Sequence, residues 1–186
     1  MQGQAGRSAF GAVAGAAAVG LIAGLAANLG RKAVMQAAEG MAGDWFDILK
    51  AEHLMVLELF DKLEDTGPED TRKRTLLLTK IRHALEKHAS QEEMVIYPAL
   101  KLGGSAEEAQ HLYADHGEVK TFLYELDQMD KGDPQWLPRA RALRLAIEEH
   151  AREEEETIFP ALRDRMPPEE QARLTRALHK EGFKHA

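Results

Sequence analysis

Cysteine is absent from the 186 residues, which excludes disulfides, thiolate zinc sites, iron–sulfur ligation and thiol redox chemistry. Any metal this chain binds must be held by nitrogen and oxygen. An excess of basic charge is missing too. The formal net charge is −7, and the lysines and arginines are interspersed with acids, which argues against a nucleic-acid partner. Runs of β-branched residues and period-two alternation are scarce, so no strand pattern competes with a helical one. What remains is an apolar fraction of 44%, enough for a packed core and too high for wholesale disorder.

Three composition regimes follow one another, and they define the expected organisation: an N-terminal segment 1–43, a helical domain 44–166 and a tail 167–186. Residues 8–30, SAFGAVAGAAAVGLIAGLAANLG, carry no charge and lie between Arg7 and Arg31. Gly11, Gly15, Gly20 and Gly24 form two GxxxG steps that suit close helix pairing. The stretch is long enough to span a bilayer, although Gly and Ala are only weakly lipophilic. A helical oligomerisation arm, a disordered lead, or a cleaved signal segment ending near Leu25-Ala26-Ala27 are the other readings. If it inserts, Arg31 and Lys32 keep the following domain on the cytoplasmic side, associated with the inner membrane. A cytoplasmic location is expected otherwise.

The middle regime reads as four helices, at about 44–64, 69–102, 105–129 and 134–165, separated by turn signals at TGPED, LGGS and KGDP. Ser105-Ala106-Glu107-Glu108 fits a capping box at the third helix. Short connections between long helices favour antiparallel neighbours, so the expected fold is all-α, an up-down-up-down four-helix bundle. The tail opens with PPEE and predicts one further short helix.

Within this regime the chain nearly repeats itself. HASQEEMVIYPAL at residues 88–100 is followed 62 positions later by HAREEEETIFPAL at 150–162, and eight of the thirteen positions are identical. Pro98 and Pro160 each remove a backbone donor and crowd the carbonyl four residues earlier, so both helices should kink or end there. That accounts for the second half of the repeat but not for its polar half. Residues four apart share a helix face, so His88 with Glu92, and His150 with Glu154, can each aim a ring nitrogen and a carboxylate at one point. Upstream, His53 precedes His88 by 35 residues and His116 precedes His150 by 34. Each half of the domain thus offers one His on its first helix and HxxxE on its second.

The helix legs of the second hairpin place His116 and His150 at similar height, within about one turn. Those of the first hairpin leave His53 and His88 about 9 Å apart in height. With that difference absorbed, six side chains converge: His53, His88, Glu92, His116, His150 and Glu154. Burying two carboxylates and four imidazoles is costly unless something neutralises and coordinates them, and metal cations do both. Such a donor set suits two ions, each with two His and both Glu able to bridge. Imidazole with carboxylate suits iron, and also manganese or zinc.

The pattern His53, HASQE at 88–92, His116 and HAREE at 150–154 resembles the hemerythrin-like (HHE cation-binding) domain family over residues 44–165. The resemblance implies a four-helix bundle around a non-haem di-iron centre with an oxo or hydroxo bridge. It also implies terminal ligation by His53, His88, His116 and His150 and carboxylate bridging by Glu92 and Glu154. Oxygen-carrying hemerythrins have a second His one turn after the third-helix His, where this chain has Lys120. Their last motif ends in Asp after a spacing of five, where this chain has Glu154 after four. The likeness is therefore to the broader HHE branch. Ferritin-like di-iron bundles use paired Glu-x-x-His motifs, and only Glu108 to His111 matches here.

Other polar residues read as peripheral. His83 and His111 lie off the ligand face, Glu58 is expected at the surface, and His179 and His185 lie in the tail without a partner pattern. Glu93 and Glu155 point about 100° away from the core, toward solvent, with substitute ligation as the alternative. Tyr97, Tyr113 and Tyr124 could bond near a centre, but no spacing places them. The expected function is a small di-iron protein that binds dioxygen, nitric oxide or peroxide for sensing, scavenging or iron handling. A di-iron peroxidase or NO-reducing enzyme, and a metal-independent membrane or oligomerisation scaffold, are the alternatives.

Overall fold

The computed structural model describes residues 43–185, and the regular structure among them is helical. The readings of residues 8–30 lie outside the described residues. None of the described helices is long and apolar enough to cross a membrane. Four long helices carry the core: α1 (Trp45–Glu64), α2 (Thr71–Gln91), α4 (Ala106–Gln128) and α5 (Trp136–Glu153). Short α3 (Tyr97–Leu102) and α6 (Phe159–Arg165) continue α2 and α5, and α7 (Pro168–Lys184) closes the chain. α1 packs along α2, α4 along α5, and α1 also along α5.

The apolar stripes explain these contacts. On α1, Trp45, Ile48, Leu49, Val56, Phe60 and Leu63 are buried at spacings of three and four, and His53 sits on the same stripe. His88, His116 and His150 likewise take stripe positions on α2, α4 and α5. α1 begins with a reciprocal cap. Asp44 accepts from the backbone N–H groups of Phe46 and Asp47 at 3.0 and 3.2 Å, and Asp47 accepts from that of Asp44 at 3.3 Å. Gly43 precedes it at φ +100°, where a Cβ would stand 2.4 Å from the Asp47 carboxylate.

The expected capping box at Ser105 does not form, because Ser105 is occupied in ending the preceding helix. Its N–H donates to Leu100 O at 2.9 Å, and that of Gly104 donates to Lys101 O at 3.2 Å. With Gly104 at φ +89°, this is the paired closure that left-handed glycine permits at a helix C-terminus. The Ser105 side chain makes no cap bond to α4.

Of the two outcomes expected at the prolines, a kink or an end, the end does not occur. Neither helix ends at Pro98 or Pro160. Each instead contains one π-helical turn just upstream, Glu92–Ile96 and Glu154–Ile158, with Tyr97 N–H reaching back to Glu92 O and Phe159 N–H to Glu154 O. A proline has no N–H and its ring presses on the carbonyl four residues back. A wider turn relieves that pressure at the cost of one residue out of α register. Both wide turns begin on the Glu of the His–Glu pair.

The core is divided into two. One apolar cluster contains Phe60, Leu63, Leu78, Ile81, Leu126, Trp136 and Leu143. The other contains Trp45, Leu49, Ile96, Tyr97, Leu112, Phe159 and Leu178. Along each long helix the candidate ligands fall between the two. α7 packs on α2 and on the first π turn; Ser90 donates to Glu181 at 2.9 Å, and Gly182 approaches Lys87 and Gln91 so closely that a Cβ would lie 3.0 and 2.9 Å from them.

Phe60→Ala should lower the unfolding free energy by about 3–5 kcal/mol, whereas Leu102→Ala, at a residue 91% exposed, should change it by less than about 0.5 kcal/mol. Urea denaturation of both variants checks this.

Candidate metal centre

All six residues expected at the centre are buried and meet in the layer between the two clusters. The rings of His53 and His88 lie 4.4 Å apart and those of His116 and His150 4.9 Å apart, centroid to centroid. The height mismatch expected for the first hairpin does not part its two His, whose helices are joined by the Asp65–Asp70 connection. There Arg74, itself buried, donates to Thr66 Oγ1 at 2.9 Å and to Thr66 O at 3.1 Å.

The two carboxylates each face both hairpins. Glu92 Oε1 is 3.1 Å from His88 Nε2, and its Oε2 is 3.2 Å from His116 Nε2. Glu154 Oε2 is 3.5 Å from His53 Nε2, and its Oε1 is 3.4 Å from His150 Nε2. Every Glu therefore spans the gap between two His, one from each hairpin. Donors about 2.1 Å from one ion and at right angles around it are about 3.0 Å apart, close to these separations. The residues fit a cation on a second count. His53 Nε2, His88 Nε2, His150 Nε2, Glu92 Oε1 and Glu154 Oε2 are buried and find no hydrogen-bond partner among the described residues. Buried polar atoms are normally satisfied, and here every such exception among the described residues apart from Trp45 Nε1 belongs to the inward-facing set.

The outward nitrogens are all engaged by carboxylates. His53 Nδ1 bonds Glu155 at 2.9 Å, His116 Nδ1 bonds Glu93 at 2.9 Å, His88 Nδ1 bonds Glu52 at 3.0 Å, and His150 Nδ1 meets Asp115 at 3.4 Å. Such partners fix the ring orientation and leave Nε2 free for a metal. Glu93 and Glu155 are thus not on a solvated face. In a bundle, a position 100° from the core faces the neighbouring helix, and both reach across to a His there. Glu52 and Asp115 were not singled out from the sequence. The available signal was the repeat itself, since each immediately precedes the first His of its hairpin. Glu52 also accepts from Lys87 Nζ at 2.7 Å. Gln91, with its amide nitrogen turned inward, adds bonds to Glu52 at 3.0 and 3.2 Å.

Tyr97, unplaced by sequence, reaches the centre: its hydroxyl donates to Glu154 Oε1 at 2.9 Å and lies 3.0 Å from His116 Nε2. Tyr113 donates to Glu93 O at 2.9 Å, and Tyr124 is exposed. Lys120 bonds Glu93 at 2.8 Å instead of entering the centre. His83, Glu58 and His111 are exposed, the last bonded to Glu153 at 3.2 Å. A cavity of about 40 Å³ adjoins the four His and is walled by Leu85, Ala89, Val119, Leu123 and Ile147. That is more than a single water requires and suits a ligand of two or three atoms.

Electrostatics in the metal-free centre divide the two Glu. Burial alone would raise Glu92, but the neighbouring His88 and His116 hold it well below the usual carboxylate range. Burial and the neighbouring Glu92 charge push Glu154 well above it. Burial opposes protonation of His88, yet Glu92 and Glu52 raise it to about 10. His53 is lowered, by burial and by His88 beside it.

Fold and site together define a helical-bundle domain built to bind a cation. Residues 45–162 match the Hemerythrin HHE cation binding domain, and the chain belongs to that family. It is 29% identical over 124 residues to a DNA nickase of Nostoc sp., a match covering 67% of this chain but only 35% of that protein. It is 28% identical over 116 residues to uncharacterized proteins of Mycobacterium tuberculosis and Mycobacterium bovis, covering 62% of this chain and 70% of theirs. The crystal structure of a hemerythrin HHE cation-binding domain-containing protein from Mycobacterium kansasii superposes with a TM-score of 0.69 at 21% identity. It covers 77% of this chain and 87% of that one.

The pH dependence of the metal-free protein follows from His88. The folded state holds its proton up to about pH 10, whereas the unfolded chain releases it near 6.5. The folded state binds more protons through that window, so this stabilisation is complete below pH 6.5 and is lost as pH rises toward 10. Glu154, raised from 4.5, acts in the same direction; Glu52 and Glu92, both lowered, are ionised in both states there and contribute no slope. Chelator-treated protein should therefore melt at a lower temperature at pH 9 than at pH 6.5, and His88→Gln should flatten the difference. Independently, Glu52→Gln and Asp115→Asn should each weaken metal affinity about 10–100-fold, as read by competition with a chromogenic chelator.

Proposed function

We propose that the six residues hold two iron ions, His53 and His88 at one and His116 and His150 at the other, with Glu92 and Glu154 bridging. The pair would bind dioxygen, nitric oxide or peroxide for sensing, scavenging or iron handling. The observation that carries this reading is the doubled geometry: each Glu turns one oxygen to a His of either hairpin, and Glu92 Oε1, Glu154 Oε2 and the Nε2 atoms of His53, His88 and His150 are buried without a hydrogen-bond partner among the described residues. Two hairpins side by side are needed for that, and an antiparallel up-down-up-down bundle is the arrangement that supplies them.

Nitrogen and carboxylate donors with no thiolate suit iron. Bound there, an iron pair would supply redox electrons and open coordination positions. The chain's own residues do the rest. Glu155, Glu52, Glu93 and Asp115 hold the imidazoles in the tautomer that points Nε2 inward. The apolar wall of Leu85, Val119, Leu123 and Ile147 admits a small neutral molecule to the His layer and keeps bulk water out. Lys120, tied to Glu93, leaves one fewer imidazole than an oxygen carrier uses. The net charge of −7 supports a role without nucleic acid, and the nickase activity stays with a protein of which the match spans 35%.

Metal analysis of the purified chain, with a visible spectrum after oxidation, is the test. About two irons per chain are expected, and near-complete loss in His88→Ala and His150→Ala. Chelation should lower the melting temperature, since an ion bound only by the folded state stabilises it by mass action. Iron uptake unaffected by both substitutions, or melting indifferent to chelation, would overturn the reading and favour a metal-independent scaffold. Multiple turnovers of peroxide in a steady-state assay would move it to the enzyme alternative.

A further inference from the structure

The duplication pairs Ile48, Glu52, Lys87 and Gln91 of the first copy with His111, Asp115, Glu149 and Glu153 of the second, at the offsets of 63 and 62 that also relate the inward residues. In both copies the outer carboxylate, Glu52 or Asp115, meets the Nδ1 of a buried His. Glu52 is also balanced by a cation. Lys87 Nζ donates to it at 2.7 Å, and the inward-turned Gln91 amide adds bonds at 3.0 and 3.2 Å. α7 covers this face, with Gly182 pressed against Lys87 and Gln91. The second copy keeps the carboxylate without the cation. Lys87 is matched by Glu149 and Gln91 by Glu153, so one Lys and one Glu stand opposite one Asp and two Glu. A cleft of about 440 Å³ between α4 and α5 borders these acids, with His150 in its wall. His111, in the place of buried Ile48, is exposed there.

We propose that His111, Asp115 and Glu153 bind a divalent transition-metal cation, in the place that the Lys87 ammonium takes in the first copy, and that this surface ion supplies the buried centre. His111 Nε2 lies 3.2 Å from Glu153 Oε2 and 3.7 Å from Asp115 Oδ2, and one donor atom from each of the three residues falls within 4.8 Å of the others. Donors about 2.1 Å from one ion stand about 3.0 Å apart at right angles and about 4.2 Å apart when opposed. One imidazole with two carboxylates suits ferrous iron or manganese, with water in the remaining positions. Glu118 and Glu149 line the same cleft and add the negative potential that draws cations to it. The Asp115 oxygen that faces His111 is also 3.4 Å from His150 Nδ1, so the surface ion stands one side chain outside the buried layer. The site itself does not depend on what that layer holds; its supply role rests on the metal-binding reading above.

The test titrates the full metal-free chain with Zn²⁺, reading stoichiometry by equilibrium dialysis and the imidazole nitrogens by ¹⁵N NMR. The wild type should bind about one ion more than Glu149→Lys/Glu153→Gln, which installs the pair that the first copy carries, and one more than His111→Ala. The His111 Nε2 resonance should move to the position of a metal-bound imidazole, while that of exposed His83 stays in place. Anaerobic loading with ferrous iron should then be several-fold slower in both variants, with the final content of the buried centre unchanged. Equal Zn²⁺ stoichiometry in wild type and variants, or an unmoved His111 resonance, overturns the site. Loss of the extra ion with no slowing of loading overturns the supply role. A wild type that binds Zn²⁺ at His111 but retains no iron overturns the dinuclear reading and the supply role together, and leaves the surface site standing.

Discussion

Two carboxylates face each other across the interior of this protein, and nearly everything else is arranged around the cost of that. Glu92 and Glu154 are fully buried, and taking one ionised carboxylate out of water costs several kcal/mol even after relaxation. Without metal, the surroundings pull the two apart, favouring the charged form of Glu92 beside protonated His88 and the neutral form of Glu154. A cation would let both ionise. The four imidazoles, the four outer carboxylates and the wide helical turns can all be understood as holding these two groups at a separation that a cation resolves.

Much of this was legible in the sequence, because helical periodicity and duplication are local signals. The four long helices appear close to their expected limits, and His53, His88, Glu92, His116, His150 and Glu154 do converge. The residues that escaped notice depend on partners distant in sequence. Glu93 and Glu155 look solvent-facing on their own helices and acquire their His only from the opposite hairpin. Glu52 and Asp115 were hidden as ordinary charges in charged helices, although their placement before His53 and His116 repeats. Tyr97 could not be placed because its orientation depends on the π turn, and a proline reads in sequence as a helix kink or stop, not as a reason to widen the turn before it. Ser105 had the spacing of a cap, but its backbone was already committed to the helix behind it.

The duplication also shows how one fold element can be repeated and then differentiated. Inner and outer carboxylates recur in both halves at nearly constant offset, which preserves the layer. Tyr97 against Phe159, and Lys87 with Glu52 beneath α7, break the symmetry. The His53–His88 side is buttressed by the C-terminal helix through the close approach of Gly182, and the His116–His150 side carries the Tyr97 hydroxyl.

The polar layer has a consequence for how the molecule comes apart. It separates two apolar clusters that share no side chain, and an ordinary core of this size would transmit an unfolding event from end to end. Here that transmission must cross a sheet of imidazoles and carboxylates whose mutual attraction depends on what lies between them. With an ion in place, the ends are joined by bonds from every long helix and should melt as one unit. Stripped of it, they become two partly independent units, and the occupancy of the centre would set the cooperativity of the whole domain.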